Sequence, residues 1–69
     1  MGIVIRISYS CDWENTYFVQ TLGELEAKEK AYKMFRQVAT CLLPETLKEA
    51  EKDDAFCIEI IAEVDQIIL

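Results

Sequence analysis

The sequence contains no histidine, only one proline and two glycines, and no long apolar run. Without histidine, the chain lacks the commonest general base, metal ligand and switch near neutral pH. Gly2 and Gly23 stand alone, so no glycine-rich loop for phosphate is present. The apolar runs are far shorter than the ~20 residues that span a bilayer, and residues 1–9 do not have the pattern expected of a signal peptide. We therefore expect a protein of the cytoplasm with no membrane partner.

Cysteine is scarce as well, with Cys11, Cys41 and Cys57 as its three occurrences. No Cys-x-x-Cys pair occurs and no histidine could complete a zinc site, so we expect neither a metal nor another cofactor. An odd number of cysteines favours reduced thiols in a cytoplasmic protein. A Cys11–Cys57 bridge or an intermolecular disulfide is the alternative, and the reactivity of each thiol stays open.

The length and composition of the chain predict one small folded domain that spans residues 1–69. The chain has a mass of 8.0 kDa, is 52% apolar and 29% charged, and has a net charge of −6. That composition is too apolar for disorder and too charged for a membrane span. A core of this size provides modest stability unless something adds to it.

Three segments have the two-residue period of strands. Residues 3–10 alternate with Ile3, Ile5 and Ile7 on one face, and 16–20 resume after a loop of about five residues. The two runs predict an antiparallel hairpin. Residues 56–64 alternate again, with five members predicted on one face: Phe56, Ile58, Ile60, Ala62 and Val64.

Helical periodicity covers the middle of the chain. Residues 22–42 have an apolar stripe of helical period, and Thr21 with Glu24 has the spacing of a capping box. Pro44 predicts the end of this helix and the start of a short surface helix at 45–52. Only Leu47 and Ala50 are placed to anchor that second helix.

The predicted fold class is α+β, with a small antiparallel three-stranded sheet and the element order β-β-α-(α)-β. We expect the strand order 2-1-3 with the helices packed on one face, and a short fourth strand at 67–69 as an extension. The predicted core is Ile3, Ile5, Ile7, Leu25, Tyr32, Phe35, Leu42, Phe56, Ile58, Ile60 and Ala62.

The residue pattern argues against an enzyme. None of the thiols is accompanied by an imidazole, and no lysine has a spacing that marks it as their base. Carboxylates are so frequent that pairs such as Asp53-Asp54 have no specificity. A loose divalent-cation site at Glu51, Asp53 and Asp54 is a weaker interpretation than a solvated acidic face, because the EF-hand pattern is absent. We predict no catalytic and no metal residues.

Charge is distributed unevenly along the chain. Residues 1–44 contain five acids and five bases, whereas residues 45–69 contain eight acids and two bases. Solvated surface acids are the plainer interpretation, and an acidic patch that docks on a basic partner surface is the sharper one. The predicted contacts are Glu45, Glu49, Asp53, Asp54, Glu59 and Glu63. The basic cluster at 28–36 lies among acids, so direct nucleic-acid binding is not favoured.

Two further features concern partners. On the sheet face away from the helices we expect Val4, Tyr17, Val19 and Ile61, an apolar patch suited to a homodimer, with Arg6 paired across to Glu59. Trp13, in the predicted hairpin loop, either packs on the end of the core or anchors an interface.

The favoured hypothesis is a non-catalytic protein-binding module that occludes a basic, nucleic-acid-binding partner surface, as a nucleic-acid mimic would. In size and charge the chain is similar to small acidic phage-encoded inhibitors, including anti-CRISPR proteins, although no motif supports that comparison. It would then act in the cytoplasm of the host cell. The alternative is a structural or regulatory homodimer that associates through the open sheet face.

Overall fold

The fold is that of a computed structural model, which describes residues 2–10, 13–21, 23–39 and 42–64 except for the side chain of Trp13. Its elements are β1 (Gly2–Tyr9), β2 (Trp13–Gln20), α1 (Glu24–Val38), α2 (Leu47–Ala50) and β3 (Phe56–Val64). The predictions for Cys11, Cys41, the Trp13 side chain and a strand at 67–69 lie outside the described residues.

The three strands form one antiparallel sheet in the order β2-β1-β3, and the helices pack on one of its faces. The predicted α+β class and strand order are confirmed. Central strand β1 is the most buried, because Ile3, Ile5 and Ile7 all point toward α1 and have no exposed surface. The buried core consists of Ile3, Ile5, Ile7, Val19, Ala27, Ala31, Tyr32, Phe35, Leu43, Leu47, Ala50 and Phe56.

The hairpin between β1 and β2 is tighter than predicted. Strand pairing continues to Tyr9 opposite Trp13, so only residues 10–12 connect the strands. Ser10 has φ 52°, in the left-handed region that residues other than glycine seldom occupy. Its backbone N–H donates to the Ala55 carbonyl at 2.8 Å, which ties the hairpin to the segment before β3.

Helix α1 begins later than predicted. Its N-cap residue is Gly23, whose carbonyl accepts from the Ala27 N–H at 3.0 Å, and no side chain caps the helix. The predicted capping box of Thr21 and Glu24 is therefore wrong. A capping box requires the glutamate at the third helical position, whereas Glu24 is the first residue of the helix. Thr21 is buried beside the core.

Helix α1 also ends earlier than predicted. Ala39 has extended dihedral angles (φ −68°, ψ 134°), so the helical period does not continue to Leu42. Leu43, after the helix, reaches the core, whereas Leu42 is 99% exposed. Leu42 is not a core residue, which corrects the prediction.

The buried side of α1 is narrower than the apolar stripe predicted from the sequence. It consists of Ala27, Ala31, Tyr32 and Phe35, whose spacings of four, one and three residues place them on one side. Leu25, predicted in the core, is 67% exposed, because two residues before Ala27 correspond to about 200° around the helix. The alanines of α1 are fully buried in the same core as the isoleucines of β1.

Helix α2 is shorter than predicted but is anchored as expected. The hydroxyl of Thr46 accepts from the Glu49 N–H at 3.3 Å and caps its first turn. Leu47 and Ala50 are its two buried residues, which confirms that these positions attach the segment to the core.

Strand β3 has the predicted bounds but contains a bulge. Ile60 lies opposite Ile5 and Ala62 lies opposite Val4, so the intervening Ile61 has no partner on β1. The extra residue moves Ala62 and the residues after it to the other face. Ala62 is therefore exposed on the side away from the helices, and its predicted place in the core is wrong.

The orientation of β2 also differs from the prediction. Val19 lies opposite Ile3 and Tyr17 opposite Ile5, so both side chains share the helix-covered face of β1. Val19 is buried in the core and Tyr17 packs against it. Phe18, between them, points to the other side and is 48% exposed.

Candidate interaction surfaces

The acidic segment consists of residues 45–54 and includes α2. It runs from the connection after α1 to the turn before β3 and lies on the helix side of the sheet. It contains two lysines and five carboxylates, a net charge of −3. All five carboxylate residues are exposed, and none forms an ion pair within the described parts of the chain: Glu45, Glu49, Glu51, Asp53 and Asp54. The segment therefore presents a net negative surface, although Lys48 and Lys52 lie on it and Lys33 and Arg36 of α1 line the groove beside it.

Short-range contacts fix the path of the acidic segment. Leu47 and Ala50 bury its inner side, and the Asp53 carboxylate stabilises its exit into β3. Asp53 Oδ1 accepts from the Ala55 N–H at 2.9 Å, and Asp53 Oδ2 accepts from the Tyr9 hydroxyl at 3.1 Å. Asp53 thus has a structural role in the turn, whereas neighbouring Asp54 has no such side-chain bond among the described residues.

The six predicted contact residues do not form one patch. Glu45, Glu49, Asp53 and Asp54 belong to the acidic segment. Glu59 lies on the opposite side of the sheet, where its carboxylate accepts from Arg6 Nη2. Glu63 lies at the far end of β3, opposite Ile3. The structure therefore brings four of these residues together and places the other two elsewhere.

Acids outside the segment are partly compensated. Arg6 Nε lies 3.3 Å from Glu14 Oε1 in addition to its contact with Glu59, so the predicted cross-strand pair is confirmed. Lys30 Nζ lies 3.2 Å from Glu26 Oε1. The Thr21 hydroxyl and then Lys30 hold the pKa of Glu26 below its usual value. These three acids therefore differ from the five carboxylates of the acidic segment, which form no ion pair among the described residues.

A groove of about 580 Å³ lies between α1 and the acidic segment. Tyr32 and Leu47 contribute apolar surface, and the Tyr32 hydroxyl donates to the Pro44 carbonyl. Arg36 Nη1 donates to the Glu45 carbonyl at 3.5 Å. Four cations and three carboxylates line the groove: Lys30, Lys33, Arg36 and Lys48, with Glu26, Glu29 and Glu45. This mixture of signs does not form the basic stripe typical of nucleic-acid binding.

The open face is the side of the sheet away from α1. By register, its rows across the sheet are Gln20, Gly2, Val64; Phe18, Val4, Ala62; Thr16, Arg6, Glu59; and Glu14, Ser8, Cys57. Apart from Gln20, the first two rows form an apolar half, in which the Phe18 ring covers Gly2 so closely that a Cβ there would overlap it. The last two rows form a polar half around Arg6.

The apolar half differs from the dimer face predicted from the sequence. Val4 is on the open face, but Tyr17 and Val19 belong to the core side. Ile61 is the bulged residue and is 49% exposed. Phe18, Ala62 and Val64 were missed, because alternation in β2 allows either face and a bulge leaves no local signal in the sequence.

Other chemistry has little support in the described structure. No group of three potential ligands among the described residues could hold a metal ion. Cys57 is a free, exposed thiol opposite Ser8 on the polar half of the open face. Within the described part of the chain, no helix is long and apolar enough to cross a membrane.

Comparisons with protein-family models, curated proteins and solved structures give no significant match. A function for the chain must therefore be inferred from its own surfaces.

Proposed function

We propose that the protein is a non-catalytic protein-binding module whose acidic segment occludes a basic surface of its partner. The observation that supports this proposal is the exposure of all five carboxylates of the segment without an ion pair in the described residues. Carboxylates that remain unpaired in solvent keep their field, and such a field accelerates and orients encounter with a basic partner.

The partner that suits this surface is a basic groove that ordinarily contacts nucleic acid. A run of carboxylates held on a short capped turn presents negative charge at a protein surface, as phosphates do along a strand. By occupying the groove, the acidic segment would act as a nucleic-acid mimic and inhibitor in the cytoplasm. The likeness to small phage-encoded inhibitors, in size and charge alone, is part of this proposal.

Charge reversal within the segment tests the proposal. The variant Glu51→Lys/Asp54→Lys leaves the cap at Thr46 and the bonds of Asp53 intact. The matched control, Glu24→Lys/Glu29→Lys, makes the same change in net charge on α1. We expect the first variant to lose captured basic proteins from a cell extract by at least about tenfold, or about 1.4 kcal/mol, and the control to retain them.

Salt provides an independent measure. Raising NaCl from about 0.1 M to about 1 M shortens the Debye length from about 10 Å to about 3 Å. Capture through the acidic segment should be lost over that range. Equal capture by both double variants, with circular dichroism showing both folded, would refute the role of the segment.

A further inference from the structure

We propose that the outer edge of β2 is a docking site for an extended, basic segment of a partner protein, which joins the sheet as a fourth strand. The site is separate from the acidic segment and does not depend on the function proposed for that segment. Strand β2 is the end strand in the order β2-β1-β3, so β1 occupies only one of its edges. On the outer edge, β2 makes no backbone hydrogen bond to another described residue. Backbone N–H and C=O groups along such an edge can pair with an added strand.

The two edges of the sheet differ in how well they are protected against strand addition. Strand β2 pairs with β1 along its full length without a bulge, and it contains no proline, lysine or arginine. Strand β3, at the other edge, has a bulge at Ile61 and two glutamates, Glu59 and Glu63. Bulges and charged side chains are the usual means by which proteins prevent pairing at an edge. The edge of β2 is therefore the one that can accept another strand.

Helix α1 adds an apolar flank above the edge of β2. The helix packs over β1 and β2, and Tyr32 and Arg36 line the groove beside the acidic segment, which leads to β3. Measured from buried Ala31, these two side chains are turned by about 100° and about 140° around the helix. Met34 and Val38 are turned in the opposite sense, by about 60° and about 20°, and therefore lie on the β2 flank. They are 36% and 54% exposed.

The side chains along the edge determine which peptide fits. On the helix side the added strand would lie beside half-buried Tyr17 and below Met34 and Val38, so its side chains on that side should be apolar. On the open face it would lie beside Thr16 and Phe18, both exposed. Alternate residues of a strand point to opposite faces, so the matching peptide has an apolar residue at every second position.

Charge selects a basic segment. The chain has a net charge of −6, and Glu14 is the one charged residue of β2. Glu14 shares the guanidinium of Arg6 with Glu59, so this cluster of three side chains retains a net charge of −1. A lysine or arginine of the added strand beside Glu14 would neutralise it. A second copy of the chain is disfavoured at this edge, because two chains of net charge −6 repel each other.

A synthetic peptide tests the site. The probe is the acetylated and amidated octapeptide Lys-Val-Thr-Val-Lys-Val-Thr-Lys, which has its valines on one face. At about 1 mM it should shift the amide resonances of β2, Met34 and Val38 and slow amide exchange along β2. Methylation of the backbone nitrogens of its two central residues removes one hydrogen-bond donor from each edge of the peptide and leaves its charge unchanged. The methylated peptide should bind at least about tenfold more weakly, or by about 1.4 kcal/mol.

A matched pair of variants locates the contact on the protein. Thr16→Lys places a cation on the edge of β2 and should weaken binding of the unmodified peptide at least about tenfold. Ala62→Lys adds the same charge on the open face at the other edge of the sheet, and it should change the Kd by no more than about twofold. Circular dichroism checks that both variants are folded.

Five results would overturn the proposal. The first is the absence of amide shifts at about 1 mM peptide. The second is a methylated peptide that binds as tightly as the unmodified one, which would show that charge alone attracts it. The third is a set of shifts confined to the acidic segment or β3, and the fourth is equal weakening by the two lysine variants. The fifth is a concentration-dependent shift of β2 without peptide, which would make a second copy the occupant of the edge.

Discussion

At the scale of single residues, two neighbouring aspartates have different structural roles. Asp53 accepts from the Ala55 N–H and the Tyr9 hydroxyl, and it therefore joins the turn before β3 to the end of β1. Asp54 is exposed with no side-chain bond of this kind in the described structure. The sequence presents them as equivalent acids, and only the turn geometry separates a structural carboxylate from one available to a partner.

Replacement of these two aspartates should show that difference. Asp53→Ala should lower the free energy of unfolding by about 1 kcal/mol, because it removes two acceptors from the turn. Asp54→Ala should change it by no more than about 0.5 kcal/mol, as is usual for an exposed side chain. Urea unfolding measures both variants, and an equal loss in the two would contradict the structural role of Asp53.

Tyr32 links the core to the segment after α1. Its ring packs edge to face on Phe56, with centroids 5.5 Å apart, and its buried hydroxyl donates to the Pro44 carbonyl. Burial is the main cause that raises the pKa of the phenol above its usual value. The folded state therefore favours the neutral phenol.

This raised pKa predicts a loss of stability at alkaline pH. The stabilisation is fully present below pH about 10, where an unfolded tyrosine titrates, and is lost as pH rises through the higher folded pKa. Tyr32→Phe should cost roughly 1 kcal/mol at neutral pH, because the Pro44 carbonyl loses its donor. It should also show a flatter decline of unfolding free energy above pH about 10 than wild type.

Tyr17→Phe is the matched control for that measurement. Tyr17 packs against the core, and its hydroxyl accepts from Asn15 Nδ2 at 3.3 Å. This variant controls for the removal of a phenol hydroxyl from a residue that packs against the core. If the unfolding free energy fell equally steeply with rising pH in wild type and in Tyr32→Phe, Tyr32 would not be the cause of the alkaline loss of stability.

At the scale of elements, the bulge in β3 determines which residues form the open face. Before Ile61, the ladder places Ile58 and Ile60 against the core. After Ile61, it places Ala62 and Val64 on the open face with Val4. A strict alternation from Phe56 onward would have placed both residues with the core, as the sequence alone predicted.

Deletion of Ile61 is therefore expected to be tolerated. The deletion leaves Ile60 opposite Ile5 and Ala62 opposite Val4, so a regular ladder replaces the bulge without moving any side chain to the other face. We expect the free energy of unfolding to change by no more than about 1 kcal/mol. Nuclear Overhauser contacts between Val4 and Ala62 should persist.

Deletion of Cys57 is the control for the bulge. Cys57 lies opposite Ser8 within the regular ladder, so its removal turns Ile58 and Ile60 to the open face and places Glu59 opposite Ile7 on the core side. That variant should lose several kcal/mol or fail to fold, since a carboxylate would replace Ile58 against the core. Similar stability of the two deletions would show that Ile61 is not the unpaired residue.

At the scale of the whole molecule, the two sides of the sheet layer have different surfaces. The helix side presents the unpaired acidic segment, and the open face presents an apolar half beside the paired Arg6. Salt tests the role of the acidic segment at this scale, because it weakens docking on a basic partner.

The sequence by itself determined the class of the fold and its strand order. Regular alternation in β1 and the first half of β3, a helical period between them and a proline after it leave few arrangements of so short a chain. The local sequence also predicted Leu47 and Ala50 as anchors and Arg6 opposite Glu59. These features depend on residues that are close in sequence or directly paired across strands.

Only the tertiary structure decided which surfaces are available. The bulge at Ile61, the face chosen by β2 and the early end of α1 depend on packing between distant elements, which no local pattern records. These choices placed Phe18 and Ala62 on the open face and divided the predicted acids between two sides of the molecule. Side-chain periods define the possible faces, and the packing of the core selects among them.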